Sequence, residues 1–196
     1  TTGVSKGAML SHGNIVANMQ QAGVLFSTYD FREGEETLLL PLPLYHIYAF
    51  NACLGMLARG GHTVLVPNPR DLKSLVAAFR DSGCTGFAGL NTLFVALCND
   101  ADFRAIDFSR LKLTMSGGMA LTMAAARRWQ EVTGVEIVEG YGMSETSPVI
   151  SVNPVNANRL GTIGIAVPST EVRLLDDDGN EVQAGEPGEL VVRGPQ

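Results

Sequence analysis

Short apolar runs alternate with longer amphipathic stretches along most of this chain. Thr37 to Pro43 (TLLLPLP), Thr63 to Pro67 (TVLVP), Thr85 to Ala88, Leu111 to Ser116 (LKLTMS) and Val135 to Glu139 (VEIVE) have the length and apolar density of buried strands. Between them, apolar positions recur at helical spacing. Ser11 caps a helix running through Ile15, Met19 and Leu25. Asp71 caps one that carries Leu72, Leu75, Val76 and Phe79 and stops at Gly83. Asn91 precedes Leu93, Phe94 and Leu97, and Thr122 opens an Ala- and Arg-rich helix that ends at Gly134. Successive strands begin about two dozen residues apart, which is what a strand plus a crossover helix requires. The pattern predicts an α/β fold, a mainly parallel sheet with flanking helices.

The pattern changes near Pro168. Thr170 to Leu175 (TEVRLL) alternates like a strand with one wet face. Asp176-Asp177-Asp178-Gly179-Asn180 is a strong turn signal, and Gly185 to Gly188 leads into Glu189 to Arg193 (ELVVR). Residues 1–168 are therefore expected to form a partial α/β subdomain, and residues 169–196 the start of an antiparallel β subdomain.

Composition narrows the function classes. The chain has 196 residues, 45% of them apolar and 17% charged, so it can bury a core. A net charge of -6 without a dense basic stripe argues against nucleic acid as partner. No apolar run approaches the roughly 18 residues that would span a bilayer. Glycine stands out: 22 of 196 residues, about 11% against an average of about 7%, implies many tight turns or close backbone approaches. Cys53, Cys84 and Cys98 fit no zinc or redox spacing and read as reduced, buried thiols of a cytoplasmic protein. His12, His46 and His62 are too scattered for a metal cluster. The chain opens on Thr1 and both ends look cut through, so the absence of a targeting segment says nothing about a parent protein.

Four segments carry chemistry. Thr1-Thr2-Gly3-Val4-Ser5-Lys6-Gly7 offers hydroxyls, flexible N–H groups and an ammonium to a phosphate, without being a Walker A loop. Glu139-Gly140-Tyr141-Gly142-Met143-Ser144-Glu145 follows a strand, where α/β sheets bind ligands; it supplies a flat ring, a hydroxyl and a carboxylate. Ser116-Gly117-Gly118-Met119-Ala120 is another turn after a strand. Pro43 to Phe50 (PLYHIYAF) is an aromatic-rich turn. Taken alone, each also fits an ordinary turn or a piece of core.

In this order along one chain, the segments resemble the adenylate-forming (AMP-binding) superfamily of acyl-CoA synthetases, luciferases and peptide-synthetase adenylation domains. The similarity is greatest to bacterial long-chain fatty-acid–CoA ligases and covers essentially all residues. It rests on TTGVSKGAMLSHGN, PLYHIYAF, SGGM, EGYGMSE, VNP (Val152 to Pro154), PSTEV, DDDGNEV and GELVVRGP. There are departures. Ser5 stands where the family has proline, and Ser144 replaces the motif threonine. The first half of the signature loop, the ribose-binding aspartate, the hinge and the lid lysine are absent and would lie outside Thr1 to Gln196.

The resemblance implies activation of a fatty acid by ATP with loss of pyrophosphate, then acyl transfer to coenzyme A, with Mg²⁺ as cofactor. It implies that Thr1, Thr2, Gly3, Ser5, Lys6 and Ser144 bind phosphates and that Glu145 holds the metal. Lys6, Ser144 and Glu145 would form the catalytic set. Gly118, Met119, Ala120, Glu139, Gly140 and Tyr141 would form the adenine slot, and His46, Tyr48 and Phe50 the acyl pocket. The stretch Tyr45 to Leu57 holds no acid to bind a substrate amine, which disfavours a peptide synthetase. The resemblance leaves room for homo-oligomers and for peripheral attachment of the parent to the inner face of a membrane. Without a lid, the fragment itself is expected to be inactive. The alternatives are a ligase for an aryl or medium-chain acid, or a non-catalytic nucleotide-binding module.

Overall fold

The computed structural model describes residue 4, residues 6–26 and residues 30–196, with residues 25 and 26 described in their backbone only. In chain order the elements are α1 (His12–Phe26), β1 (Thr37–Leu40), α2 (Ile47–Ala58), β2 (His62–Leu65), α3 (Leu72–Ser82), β3 (Gly86–Gly89), α4 (Asn91–Asn99) and α5 (Ala101–Arg104). There follow β4 (Leu113–Ser116), α6 (Met123–Thr133), β5 (Ile137–Gly142), β6 (Val149–Val152), β7 (Ile165–Ala166), β8 (Glu171–Leu175) and β9 (Glu189–Arg193). Short 3₁₀ turns cover Ser144–Thr146 and Val155–Ala157.

The helix ends obey local chemistry. The Asp71 carboxylate accepts from Ser74 N at 3.3 Å, and the Thr122 hydroxyl accepts from Ala125 N at 3.3 Å. Gly83 and Gly134 close α3 and α6 at φ 55° and 77°, the left-handed region glycine enters without penalty. Ser11 Oγ accepts from Asn14 N at 3.1 Å at the start of α1.

Among the described residues, seven strands form one sheet in the order β2-β1-β3-β4-β5-β6-β7. The pairs from β2 to β5 are parallel, and β6 and β7 add antiparallel strands at the β5 edge. Parallel strands joined by crossovers carry helices on both faces, so their side chains are buried on both. Leu39 and Phe87 point into one core, with α3 to α6. Leu38, Leu40 and Ala88 point into the other, beneath α2. The first core is aromatic. Trp129 stacks on Phe87 (centroids 5.4 Å, 15°), meets Phe94 edge-on at 5.0 Å, and donates from Nε1 to Thr114 Oγ1 at 3.1 Å. The antiparallel pair β8–β9 forms a separate two-stranded sheet, in register Glu171↔Arg193 through Leu175↔Glu189.

Two expectations need correction. The aromatic-rich turn of residues 43–50 is a turn only up to His46; Ile47 to Phe50 already belong to α2. That helix is apolar on nearly every side, so it shows no amphipathic stripe. The Glu139–Gly142 segment does not follow a strand but is the end of β5, with a register irregularity between Tyr141 and Gly142. The main sheet is mixed at one edge, where β6 and β7 join β5 in antiparallel pairing.

Candidate active site

The second face of the sheet opens into a cleft of about 390 Å³ where β4 and β5 end. That lies within the range of about 300–1,000 Å³ usual for small-molecule sites. Its floor is set by strand alternation. Leu113, Met115 and Val138 line the cleft, while their neighbours Thr114 and Ile137 face the aromatic core. Ser116, Gly117 and Gly118 come from the end of β4, Gly140 to Glu145 from the end of β5, and His46, Ile47 and Tyr48 from the start of α2. Three segments separated by about 70 and about 22 residues in the sequence thus meet at one opening, as ligand sites do outside the carboxyl ends of parallel strands.

The candidate residues fall into three groups. His46, Tyr48, Gly118, Gly140, Tyr141, Ser144 and Glu145 line the cleft. Met119, 59% exposed, and Ala120 sit beyond its rim, and Phe50 lies on α2 away from the cleft lining. Glu139 is already engaged: its carboxylate accepts from Gly161 N at 2.9 Å and its carbonyl from Asn153 N at 2.9 Å. Lys6 is exposed and does not line the cleft. The calls on Thr1, Thr2, Gly3 and Ser5 lie outside the described residues.

The turn that carries Ser144 and Glu145 is tied from beneath. Thr146 Oγ1 donates to Pro148 O at 2.6 Å and accepts from Met143 N at 3.2 Å, and Met143 N also donates to Pro148 O at 3.1 Å. Gly142 passes so close to the Pro148 carbonyl that a Cβ there would collide with it. Ser144 and Glu145 remain exposed at the tip. Among the described residues no ion pair occupies Glu145, and no group of three or more His, Cys, Asp or Glu stands ready for a metal. This donor set suits Mg²⁺ bound through substrate phosphates, which takes one or two carboxylates and keeps its waters. It does not suit a dedicated protein cage.

His46 caps α2, its Nδ1 accepting from Tyr48 N at 3.2 Å, so the neutral ring carries its hydrogen on Nε2. The Tyr48 ring lies 3.5 Å from where a Gly117 Cβ would be, and burial pushes its phenol well above the usual tyrosine range. The Tyr48 and Ser116 hydroxyls are buried in the cleft wall without a partner among the described residues. Buried polar groups are normally paired, so two such hydroxyls on one cleft mark places where a ligand or water completes the bonding.

Sequence reasoning missed the supports. Asn18, Asn51 and Asn153 are 0%, 5% and 2% exposed, and all three bond backbone around the cleft. The signal was present as an amide in an apolar setting, as in Ile15-Val16-Ala17-Asn18-Met19 and Ala49-Phe50-Asn51-Ala52.

The sequence profile of the AMP-binding enzyme family matches residues 1–196. A long-chain-fatty-acid–CoA ligase of Escherichia coli O157:H7 is 46% identical over 198 residues, covering all of this chain and 35% of that protein. The chain thus spans about a third of the length of the curated relatives it matches. Among solved structures, apo MatB from Rhodopseudomonas palustris superposes with a TM-score of 0.84 at 29% identity, over 100% of this chain and 38% of that one. The anthranilate CoA ligase AuaEII in complex with anthranoyl-AMP gives 0.86 at 28%, over 96% and 36%.

Proposed function

The chain belongs to the AMP-binding enzyme family, and from that premise we propose that the protein carrying it is an AMP-forming long-chain fatty-acid–CoA ligase. In the first half-reaction a fatty carboxylate oxygen attacks the α-phosphorus of ATP, and pyrophosphate leaves. In the second, the thiol of coenzyme A gives up its proton to solvent as its sulfur attacks the acyl carbon, and AMP leaves with the electron pair of the acyl–oxygen bond. The observation that supports this best is the meeting of residues 46–48, 116–118 and 140–145 around one cleft.

The difficulty of the first step is electrostatic. Two like unit charges 4 Å apart repel by about 4 kcal/mol at an effective dielectric of about 20. A factor of ten in rate corresponds to about 1.4 kcal/mol, so unscreened approach would cost several hundredfold. On this reading Ser144 donates to the α-phosphate, while Thr1, Thr2, Gly3, Ser5 and Lys6 grip the outgoing β- and γ-phosphates. Glu145 would hold Mg²⁺, which would supply charge neutralisation on the phosphates. Tyr141, 37% exposed on the rim, offers its face to adenine beside Gly118 and Gly140. Leu113, Met115 and Val138 give the acid an apolar floor.

The test is pyrophosphate release by the complete polypeptide with ATP, Mg²⁺, coenzyme A and acids of graded chain length. We expect palmitate-like acids to be preferred. A preference for benzoate or anthranilate would instead favour an aryl-acid ligase, the reading that the likeness to the anthranilate ligase keeps open. Glu145→Gln should lower adenylation by about 10² or more at unchanged melting. Full activity in that variant would remove Glu145 from the metal site.

A further inference from the structure

The turn bearing Ser144 and Glu145 leaves the sheet at Gly142 and rejoins it at Val149, so its tip is only as well placed as those two ends. Both ends pair with each other in the sheet, Gly142 opposite Val149. The return limb is held in addition by buried amides from helices α1 and α2. Asn18 reaches Val149 in two directions at once: Val149 N donates to Asn18 Oδ1 at 3.0 Å, and Asn18 Nδ2 donates to Val149 O at 2.8 Å. This is the pattern by which one strand residue pairs with the next, made here by a side chain. Asn51 Nδ2 donates to Ser147 O at 2.9 Å and lies 3.4 Å from Asn18 Oδ1.

Ser147 is fully buried, and its backbone stands at φ 63°, a left-handed conformation that is strained for a non-glycine residue. A residue is held there only if its surroundings over-determine it, and the Asn51 bond is one such hold.

The same amides continue away from the cleft. Asn18 Nδ2 also meets Gln21 Oε1 at 3.2 Å. Gln21 Nε2 donates to Pro168 O at 2.7 Å and approaches Thr170 Oγ1 at 3.1 Å and Gln196 Oε1 at 3.0 Å. Gln196 Nε2 reaches Thr170 Oγ1 at 2.8 Å. An unbroken run of buried amides thus links the Glu145 turn to the segments flanking β8 and β9.

We propose that Asn51, backed by Asn18, is a positioning residue for the Ser144–Glu145 turn, gripping its return limb at Ser147 beside the Asn18 bonds to Val149. The proposal rests on the reading of Glu145 as the Mg²⁺ ligand for its functional consequence, but not for its structural one. Groups that orient a metal ligand matter nearly as much as the ligand: their loss typically costs about 10- to 100-fold in metal affinity or activity.

The test compares Asn51→Ala, Asn51→Leu, which keeps the branched side-chain skeleton without its polar atoms, and Val76→Ala, a stability control in the aromatic core on the opposite face. Two readouts are taken on the complete polypeptide. The first is backbone hydrogen exchange of residues 143–149 without nucleotide or metal. The second is the Mg²⁺ concentration giving half-maximal pyrophosphate release. Both Asn51 variants should speed exchange in residues 143–149, leave β3 and β4 unchanged, and raise the Mg²⁺ requirement about 10-fold or more. Val76→Ala should lower melting and move neither readout. Unchanged exchange in either Asn51 variant overturns the proposal. Faster exchange with an unchanged Mg²⁺ requirement overturns its functional half, provided that Glu145→Gln does shift that requirement. If Glu145→Gln does not, it is the metal reading that fails, and exchange alone then judges the grip.

Discussion

The two faces of the sheet are built on opposite principles. On the α3–α6 face, Phe79, Phe87, Phe94, Phe103 and Trp129 interlock with ring centroids 4.7–6.3 Å apart, and the indole N–H finds Thr114. On the α1–α2 face, the buried apolar cluster is smaller, amides replace rings near the cleft, and the hydroxyls of Tyr48 and Ser116 are buried without partners among the described residues. One face stores stability in area removed from water. The other gives up part of that gain to keep polar groups where a ligand can meet them. A substitution on the first face should therefore be read in melting, and one on the second in binding and rate.

The largest break in that contrast comes from Trp129→Ala. It removes a fully buried side chain from the ring cluster and should cost about 3–5 kcal/mol, read in chemical denaturation. Activity per folded molecule should stay near normal; a selective loss of activity would mean that the two faces are not separable.

A second contrast involves the ion pair Lys112 Nζ–Glu36 Oε1 at 2.7 Å, in which Glu36 is almost fully buried and Lys112 about one-third exposed. Burial raises the Glu36 carboxyl, while the hydrogen bonds from Lys112 and Arg32 N lower it, and the net direction is down. Such a group stabilises the fold above its unfolded pKa, and that contribution is lost as pH falls through the folded value. Lys112→Met should therefore cost about 2 kcal/mol at neutral pH, less than a fully buried pair because Lys112 is partly solvated. The gap between wild type and variant should shrink on acidification below about pH 4.5. A gap independent of pH would mean the pair contributes only packing.

Gly142→Ala sharpens the other side. A Cβ against the Pro148 carbonyl must push the Glu145 turn outward, at about 1–3 kcal/mol in melting and a larger loss in adenylation. Equal losses in both would deny the turn a special role. The smallest effect is expected for Tyr48→Phe, which deletes a buried hydroxyl that has no partner among the described residues. Melting should rise by up to about 1 kcal/mol. A fall would show that the hydroxyl already has a partner in the free protein.

The parallel strands and the helices α3, α4 and α6 were legible because their amphipathic period and caps are local. Asp71, Thr122, Gly83 and Gly134 act on neighbours within a turn of chain. Helix α2 was not, because Ile47 to Ala58 shows hardly a polar face; only the packing of that segment against α1 and β1 shows it to be a helix. The antiparallel strand β7 is only two residues long, and β6 is flanked by Ser147, Pro148, Asn153 and Pro154, residues that read as turn. For the site, turn composition picked out the Ser116–Gly118 and Gly140–Glu145 segments. It could not show that Glu139 is engaged by Gly161 and Asn153, or that Asn18 and Asn51 reach across about 131 and about 96 residues to hold the turn.

Photolabelling of the complete polypeptide with 8-azido-ATP and Mg²⁺, followed by peptide mapping, tests most directly whether adenine enters the cleft between β4, β5 and α2. The label should fall within residues 116–120 or 139–145 and be displaced by ATP. Displaceable label concentrated on α3 to α6, beneath the aromatic face, would contradict the account.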